Sequence, residues 1–183
     1  MPLETILQAI LLTAEKPLSL EQLEGYFPPE ERVTRQTIRV ALQVLQTACA
    51  GQSFELVETA SGFRLQTRAE FKEWVQRHSQ EKPPKYSRVF LETLALIAWR
   101  QPITRAEIEE IRGVAVNANI IKTLLERDWV RVVGHKELPG RPEMLGTTRQ
   151  FLDYFNLKSL EDLPSLVEMK GLDVDQLPLE LLG

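Results

Sequence analysis

WVRVVGHKELPGRPEMLGTTRQFLDY, residues 129–154, decides the fold. It opens on an apolar run from Val130 to Val133, turns at Pro139-Gly140-Arg141-Pro142, returns through Met144-Leu145, and passes Thr147 into a segment carrying Phe151 and Tyr154. Short β-branched runs bounded by Gly and Pro read as strands. A threonine ahead of a helically spaced apolar pattern reads as an N-cap. The stretch therefore predicts a strand, a tight loop, a strand and a helix opened by Thr147, the wing end of a winged helix.

A degenerate copy of this end lies about 80 residues upstream. Leu65-Gln66-Thr67 followed by Glu70-Phe71 matches Leu145-Gly146-Thr147 followed by Gln150-Phe151. At the other end of the unit, Pro17-Leu18-Ser19 with Gln22-Leu23 matches Pro102-Ile103-Thr104 with Glu107-Ile108. Recurrence of both ends at matched offsets is the mark of a duplicated supersecondary unit. The expected fold class is mainly α with small antiparallel β wings (α+β), built as two tandem winged-helix (winged helix-turn-helix) domains. Residues 1–78 form the first domain, 79–85 (SQEKPPK, polar with paired prolines) a linker, 86–164 the second domain and 165–183 a tail. That tail mixes leucines with acids and reads either as a docked amphipathic segment or as a disordered end.

Periodicity fills in the units. Leu3, Ile6, Leu7, Ile10 and Leu11 share a helix face, and Ser19 with Gln22 forms a capping box. A helix from Thr34 is expected to bury Ile38, Ala41, Leu42, Leu45, Ala48 and Cys49. Strands over Phe54–Thr59 and Phe63–Thr67 follow, then a box at Thr67-Arg68-Ala69-Glu70 opening a helix with Phe71, Trp74 and Val75 on its packed face. The second unit repeats the scheme through Phe90–Ala98, a box at Thr104 and Glu107, and Val116–Leu125. Gly140 and Gly146 are assigned to backbone turns.

Composition argues against a protein devoted to neutralising phosphates: the net charge is −4 and the pI about 5.4. Cys49 is the only cysteine, so neither an internal disulfide nor a cysteine-based zinc site is expected. The N-terminus lacks a basic signal region and no run is long enough to span a bilayer, so a reducing cytoplasm is the expected compartment and no membrane contact is expected. His78 and His135 stand apart from any ligand-spaced cluster, no Gly-rich phosphate loop or nucleophile elbow is present, and Glu109-Glu110 and Glu161-Asp162 are sequence neighbours that diverge on a helix. No catalytic residue, cofactor site or metal site is assigned, and an enzyme is not expected. Two domains of this size bury little surface each, which favours an oligomer.

Winged helices often place their third helix in the DNA major groove. Arg32, Arg35 and Arg39 at the start of that helix in the first domain are compatible with phosphate contact, but read more readily as a solvated face pairing with Glu30 and Glu31. The corresponding second-domain helix, VNANIIKTLLE, offers only Lys122, and Glu137 and Glu143 dilute Arg131, Lys136 and Arg141 on the wing. The PGRP loop has two readings: a rigid turn that protects a sheet edge, or a platform that presents Arg141 and the residues around Leu145 to a protein.

EIRGV at 110–114, the run from Ile120 to Pro164, and ETASGFRLQTRAEFKEWV at 58–75 resemble the bacterial segregation-and-condensation protein B (ScpB) family. The combination of a GRP wing with a TT-x-x-FL-x-YF helix carries the resemblance. It implies a non-enzymatic subunit of the SMC condensin complex in chromosome condensation and segregation, located in the cytoplasm at the nucleoid. It implies a homodimer paired through the N-terminal domains, a C-terminal domain that binds the kleisin ScpA, contact with SMC only through ScpA, and weak or indirect DNA contact. Within that resemblance Arg141, Pro142, Leu145, Thr148, Phe151 and Tyr154 are the expected partner contacts, Phe151 being equally readable as core. Asp128 stands where the family favours glycine, and VAVNAN at 114–119 departs from its pattern. The alternative is a winged-helix DNA-binding transcriptional regulator.

Overall fold

The computed structural model describes residues 1–79 and 86–163; the expected linker beyond Ser79 and the tail from 165 fall outside them. The chain divides into two compact units, Met1–Pro83 with Asn156–Lys158, and Pro84–Phe155 with Ser159–Gly183. Each carries the helices and antiparallel wing of a winged helix.

In the first unit α1 (Leu3–Thr13), α2 (Leu20–Glu24) and α3 (Arg35–Ala48) enclose Leu7, Leu11, Leu23, Ile38, Leu42, Leu45 and Cys49. Ser19 and Gln22 form the expected capping box, and Thr34 forms another with Thr37. β1 (Phe54–Thr59) and β2 (Gly62–Thr67) make the wing, registered from Phe54↔Thr67 to Thr59↔Gly62. Leu18 adds a one-residue third strand, its N–H and C=O each bonded to Phe63 at 2.9 Å. Asn156–Lys158 completes the unit, the Leu157 carbonyl accepting the Ala60 N–H at 2.9 Å.

Three expectations fail in this unit. Thr67 is not a cap: it ends β2 opposite Phe54, and a 3-10 turn over Ala69–Phe71 leads into α4 (Lys72–Ser79) with no capping side chain. The guanidinium of Arg68 orders the turn instead, donating to the carbonyls of Cys49 (3.1 Å) and Gln52 (3.0 Å) and to Glu55 (3.3 Å). Ala48 is exposed although Leu45 and Cys49 on either side of it are buried, because it lies at the edge of the packed face of α3. Trp74 and Val75, expected to pack, are exposed on α4.

The second unit comprises α5 (Arg88–Arg100), β3 (Ile103–Thr104), α6 (Arg105–Arg112), α7 (Ala118–Glu126), β4 (Val130–His135), β5 (Glu143–Thr147) and α8 (Arg149–Tyr154). The sheet runs β3-β5-β4, with Ile103↔Leu145 and Val132↔Leu145 on either side of the central strand. β3, the counterpart of Leu18, was not expected from periodicity because two residues carry none. The capping box at Thr104 and Glu107 forms as expected, and Gly113 closes α6 at φ 69°. After it, side chains clamp both backbone groups of Val116: its N–H donates to Glu109 at 2.9 Å and its C=O accepts from Arg105 at 2.6 Å. Trp129, 2% exposed, centres the core, ringed by Tyr86, Phe90, Tyr154 and Phe155 at 4.5–6.2 Å, with the Arg127 guanidinium 5.4 Å from its ring.

Two expectations are corrected here. The closing helix is opened by Thr148, whose hydroxyl accepts the Phe151 N–H at 3.2 Å. Thr147 ends β5, its N–H held by the Gln101 side chain at 2.7 Å. Gly146 lies inside β5 and not in a turn: a Cβ there would sit 2.9 Å from Val133 Cγ1 and 3.0 Å from Gln101 Oε1.

A candidate partner surface on the second wing

The wing loop is fixed by its own backbone. Lys136 N–H bonds the Pro142 carbonyl at 2.9 Å, closing the hairpin. Inside it, Arg141 N–H bonds the Leu138 carbonyl at 2.8 Å across Pro139 and Gly140. Proline first and glycine second, with Gly140 at φ 83°, is the type II arrangement. Arg141 follows in the left-handed region at φ 41°, which projects its exposed side chain from a rigid base.

The base of the wing is tied to α6. Lys136 Nζ pairs with Glu107 Oε1, while the other Glu107 oxygen accepts the N–H (2.9 Å) and hydroxyl (2.8 Å) of Thr104. The lysine and these donors hold the Glu107 carboxyl at about 2, against an ordinary 4.5. A depressed carboxyl stabilises the fold fully above its unfolded value and loses that contribution as pH falls through the folded one. Acid titration of the second unit should therefore lose stability between 4.5 and about 2, and Glu107→Gln should flatten that loss in melts compared at pH 6 and pH 3. Unchanged acid sensitivity in Glu107→Gln counts against the pair.

The expected contacts divide by burial. Arg141 is exposed and Pro142 half-buried at the wing tip. Leu145 and Phe151, 2% and 4% exposed, belong to the core and correct the expectation that they meet a partner: Leu145 sits in the central strand and Phe151 is turned inward by the α8 cap. Thr148 is half-buried and its hydroxyl is committed, donating to the Asp128 carbonyl and accepting from Phe151. Tyr154 packs its ring 4.5 Å from Trp129, and burial pushes its hydroxyl up to about 12.

Sequence reasoning missed the wing's apolar surface. The register shifts between Val132 and Gly134, so Val132 and Val133 are both exposed where alternation would bury one. Leu138, 51% exposed, adds to them beside Arg131 and Arg141. The signal was present as the adjacent pair Val132-Val133 followed by Gly134, which bulges accommodate. The wing thus exposes Val132, Val133 and Leu138 together with Arg131 and Arg141, a mixture of apolar and arginine side chains suited to a protein surface.

The helix-three arginines do not assemble into a phosphate site. Arg35 bonds Glu24 at 2.8 Å and Glu21 at 3.5 Å, which raises its pKa; Glu24 and Glu21 on α2 take the place of the expected Glu30 and Glu31. Arg32 sits in a left-handed turn ahead of α3, and Arg39 shares the outer face of α3 with exposed Val40 and Val44. Lys122 pairs with Glu126 at 3.6 Å. Among the described residues no group of three or more His, Cys, Asp or Glu is placed to hold a metal, and no helix is long and apolar enough to cross a membrane.

The family model described as segregation and condensation complex subunit ScpB matches residues 5–166. The segregation and condensation protein B homolog of Coxiella burnetii is 47% identical over 168 residues, covering 92% of this chain and 80% of that protein. Segregation and condensation protein B of Syntrophotalea carbinolica is 43% identical over 171 residues, covering 93% and 85%. A crystal structure of a dimer of an ScpB N-terminal domain complexed with an ScpA peptide is 22% identical, covers 45% of this chain and 96% of that one, and aligns with a TM-score of 0.39.

Proposed function

Because this chain belongs to the family of the segregation and condensation complex subunit ScpB, we propose that it is a non-catalytic, homodimeric subunit that holds the kleisin ScpA and meets the SMC ATPase only through it. The first unit supplies pairing and the second, through its wing, the kleisin site. It works in the cytoplasm at the nucleoid, with DNA contact weak or indirect.

The rigid apolar wing carries this reading. A kleisin segment that folds onto a partner loses conformational freedom on binding. A loop already fixed by a type II turn and a closing hydrogen bond adds little further ordering cost. Val132, Val133 and Leu138 offer the area, with Arg141 as the charged anchor among the accessible expected contacts Arg141, Pro142, Thr148 and Tyr154. Against the regulator reading, Val40 and Val44 interrupt the exposed face of α3 that Gln36, Arg39 and Gln43 share, and Arg35 is held by two glutamates.

Calorimetric titration with ScpA tests the site. Arg141→Glu should weaken binding by roughly ten-fold or more, the order lost when a contact charge is reversed, with an unchanged circular-dichroism melt because Arg141 is exposed. Unimpaired binding removes Arg141 from the site. A gel shift at physiological salt that shows tight DNA binding without a kleisin complex would favour the regulator.

A further inference from the structure

β4 is the edge of its sheet. The strand order β3-β5-β4 leaves it paired with β5 alone, and among the described residues none of its backbone groups bonds outside that ladder. An unpaired edge is a template for a further extended strand. The two sides of this edge differ. Val132 lies opposite the buried Leu145, on the core side of the sheet. Arg131 lies opposite Gly146, and a Cβ on Gly146 would meet Val133, so Arg131 and Val133 share the outer side. All three are exposed, and Arg131 makes no ion pair among the described residues. The edge therefore fits a segment whose side chains alternate, apolar toward the core side and acidic toward the outer side.

The tail of the same chain carries such a segment. Residues 172–177 read LDVDQL, with Leu172 and Val174 alternating with Asp173 and Asp175, and Gly171 and Pro178 bound the run. Short alternating runs between glycine and proline have the pattern of strands. With Val174 set beside Val132, an aspartate falls beside Arg131 whichever way the segment runs: Asp175 if antiparallel to β4, Asp173 if parallel. Pro178, without an N–H, stops the pairing. The eight residues between Leu163 and Leu172 reach about 30 Å when extended, roughly the diameter of a domain of this size. We propose that residues 172–177 add as a strand to the open edge of β4 in the same chain, Val174 covering Val132 and an aspartate pairing with Arg131. The bulge at Val133 keeps the regular pairing short, which makes the segment a weak ligand as a free peptide. Its tether compensates with an effective concentration on the order of mM. Because Val132 belongs to the wing surface assigned above to the kleisin, the added strand competes with ScpA; the competition rests on that reading, and the strand does not.

Hydrogen exchange read by mass spectrometry on the full chain tests the strand, with far-UV circular dichroism as the check on folding. In the wild type the amides of 172–177 should exchange about ten-fold or more slowly than their intrinsic rates, and those of 179–183 at close to theirs. Val174→Pro removes an N–H from the added strand and should abolish that protection while speeding exchange in Val130–His135. Arg131→Glu should weaken the protection, and Asp173→Arg with Asp175→Arg should restore it in the Arg131→Glu background. Unprotected amides at 172–177 in the wild type, or protection that Val174→Pro leaves intact, would overturn the strand. Protection that disappears on dilution would overturn pairing within one chain and place the segment on the β4 of a second copy. Calorimetry with ScpA separates the two readings: Val174→Pro should tighten ScpA binding several-fold. Lost protection with unchanged ScpA affinity would uphold the strand and overturn the competition. A protected tail in a chain that does not bind ScpA would overturn the kleisin reading alone. Should Arg131→Glu fail to fold, Val174→Pro decides by itself.

Discussion

Gly62→Ala is expected to destabilise the first winged helix strongly while leaving the melting of the second unchanged. Gly62 opens β2 at φ 143°, and a Cβ there would lie 2.2 Å from the Leu18 carbonyl oxygen, 2.3 Å from its carbon and 2.6 Å from Ser19 N. All three are backbone atoms, and Leu18 is held in place by its paired bonds to Phe63, so no side chain can move aside. Gly-only backbone geometry combined with overpacking costs more than about 3 kcal/mol, against a total stability of about 5–15 kcal/mol for a domain. On a unit of this size that lowers its melting temperature by more than about 12 °C. Calorimetry should resolve the early transition, and hydrogen exchange should assign it to residues of the first unit. Gly51→Ala supplies the control: φ is 78° there but nothing lies within 4 Å of the added carbon, so only the conformational cost of about 1–2 kcal/mol is expected. Equal effects of the two substitutions would show that the contact with Leu18 does not matter.

Trp129→Ala is the corresponding lesion of the second unit. The indole is buried under four aromatic rings and the Arg127 guanidinium, and replacing a buried Trp by Ala costs about 3–5 kcal/mol. The backbone of Trp129 also connects elements, its N–H reaching the Leu124 carbonyl at 3.1 Å and its C=O accepting the Thr148 N–H at 3.1 Å. The cavity therefore opens where α7, β4 and α8 meet. Near-UV circular dichroism should fall, urea unfolding of the second unit should shift to lower concentration, and the ScpA binding proposed for this unit should weaken although Trp129 is itself inaccessible. A near-wild-type urea midpoint would mean that the ring cluster contributes little.

The duplicated ends made the two-unit fold legible because caps and punctuating prolines act locally. Ser19 with Gln22 and Thr104 with Glu107 were readable from four residues each and form as expected. Misreadings arose where a distant residue decides. Thr147 and Thr148 are equivalent in sequence, and only Gln101, which binds Thr147 from 46 residues away, leaves the cap to Thr148. Gly146 looks like a turn glycine until β4 lays Val133 across it. On the wing, Arg141 was legible from the PGRP turn. The exposed valines were not, since alternation assigns a strand residue to a face but not whether anything covers that face. Phe71 and Phe151 match in sequence and differ in burial, which no pattern within either segment encodes.

The clamp on Val116 bears on how this protein tolerates change. Its N–H and C=O are satisfied by Glu109 and Arg105 on the preceding helix, and the Val116 side chain is buried. The path of the α6–α7 connection is thus written upstream of the connection itself. Val114 and Ala115 in the connection and Asn119 at the start of α7, all exposed, are left as positions whose substitution costs the fold little. Randomising them should yield mostly folded chains, and that makes the connection a natural place for one lineage to retune whom it binds while keeping the scaffold it inherited.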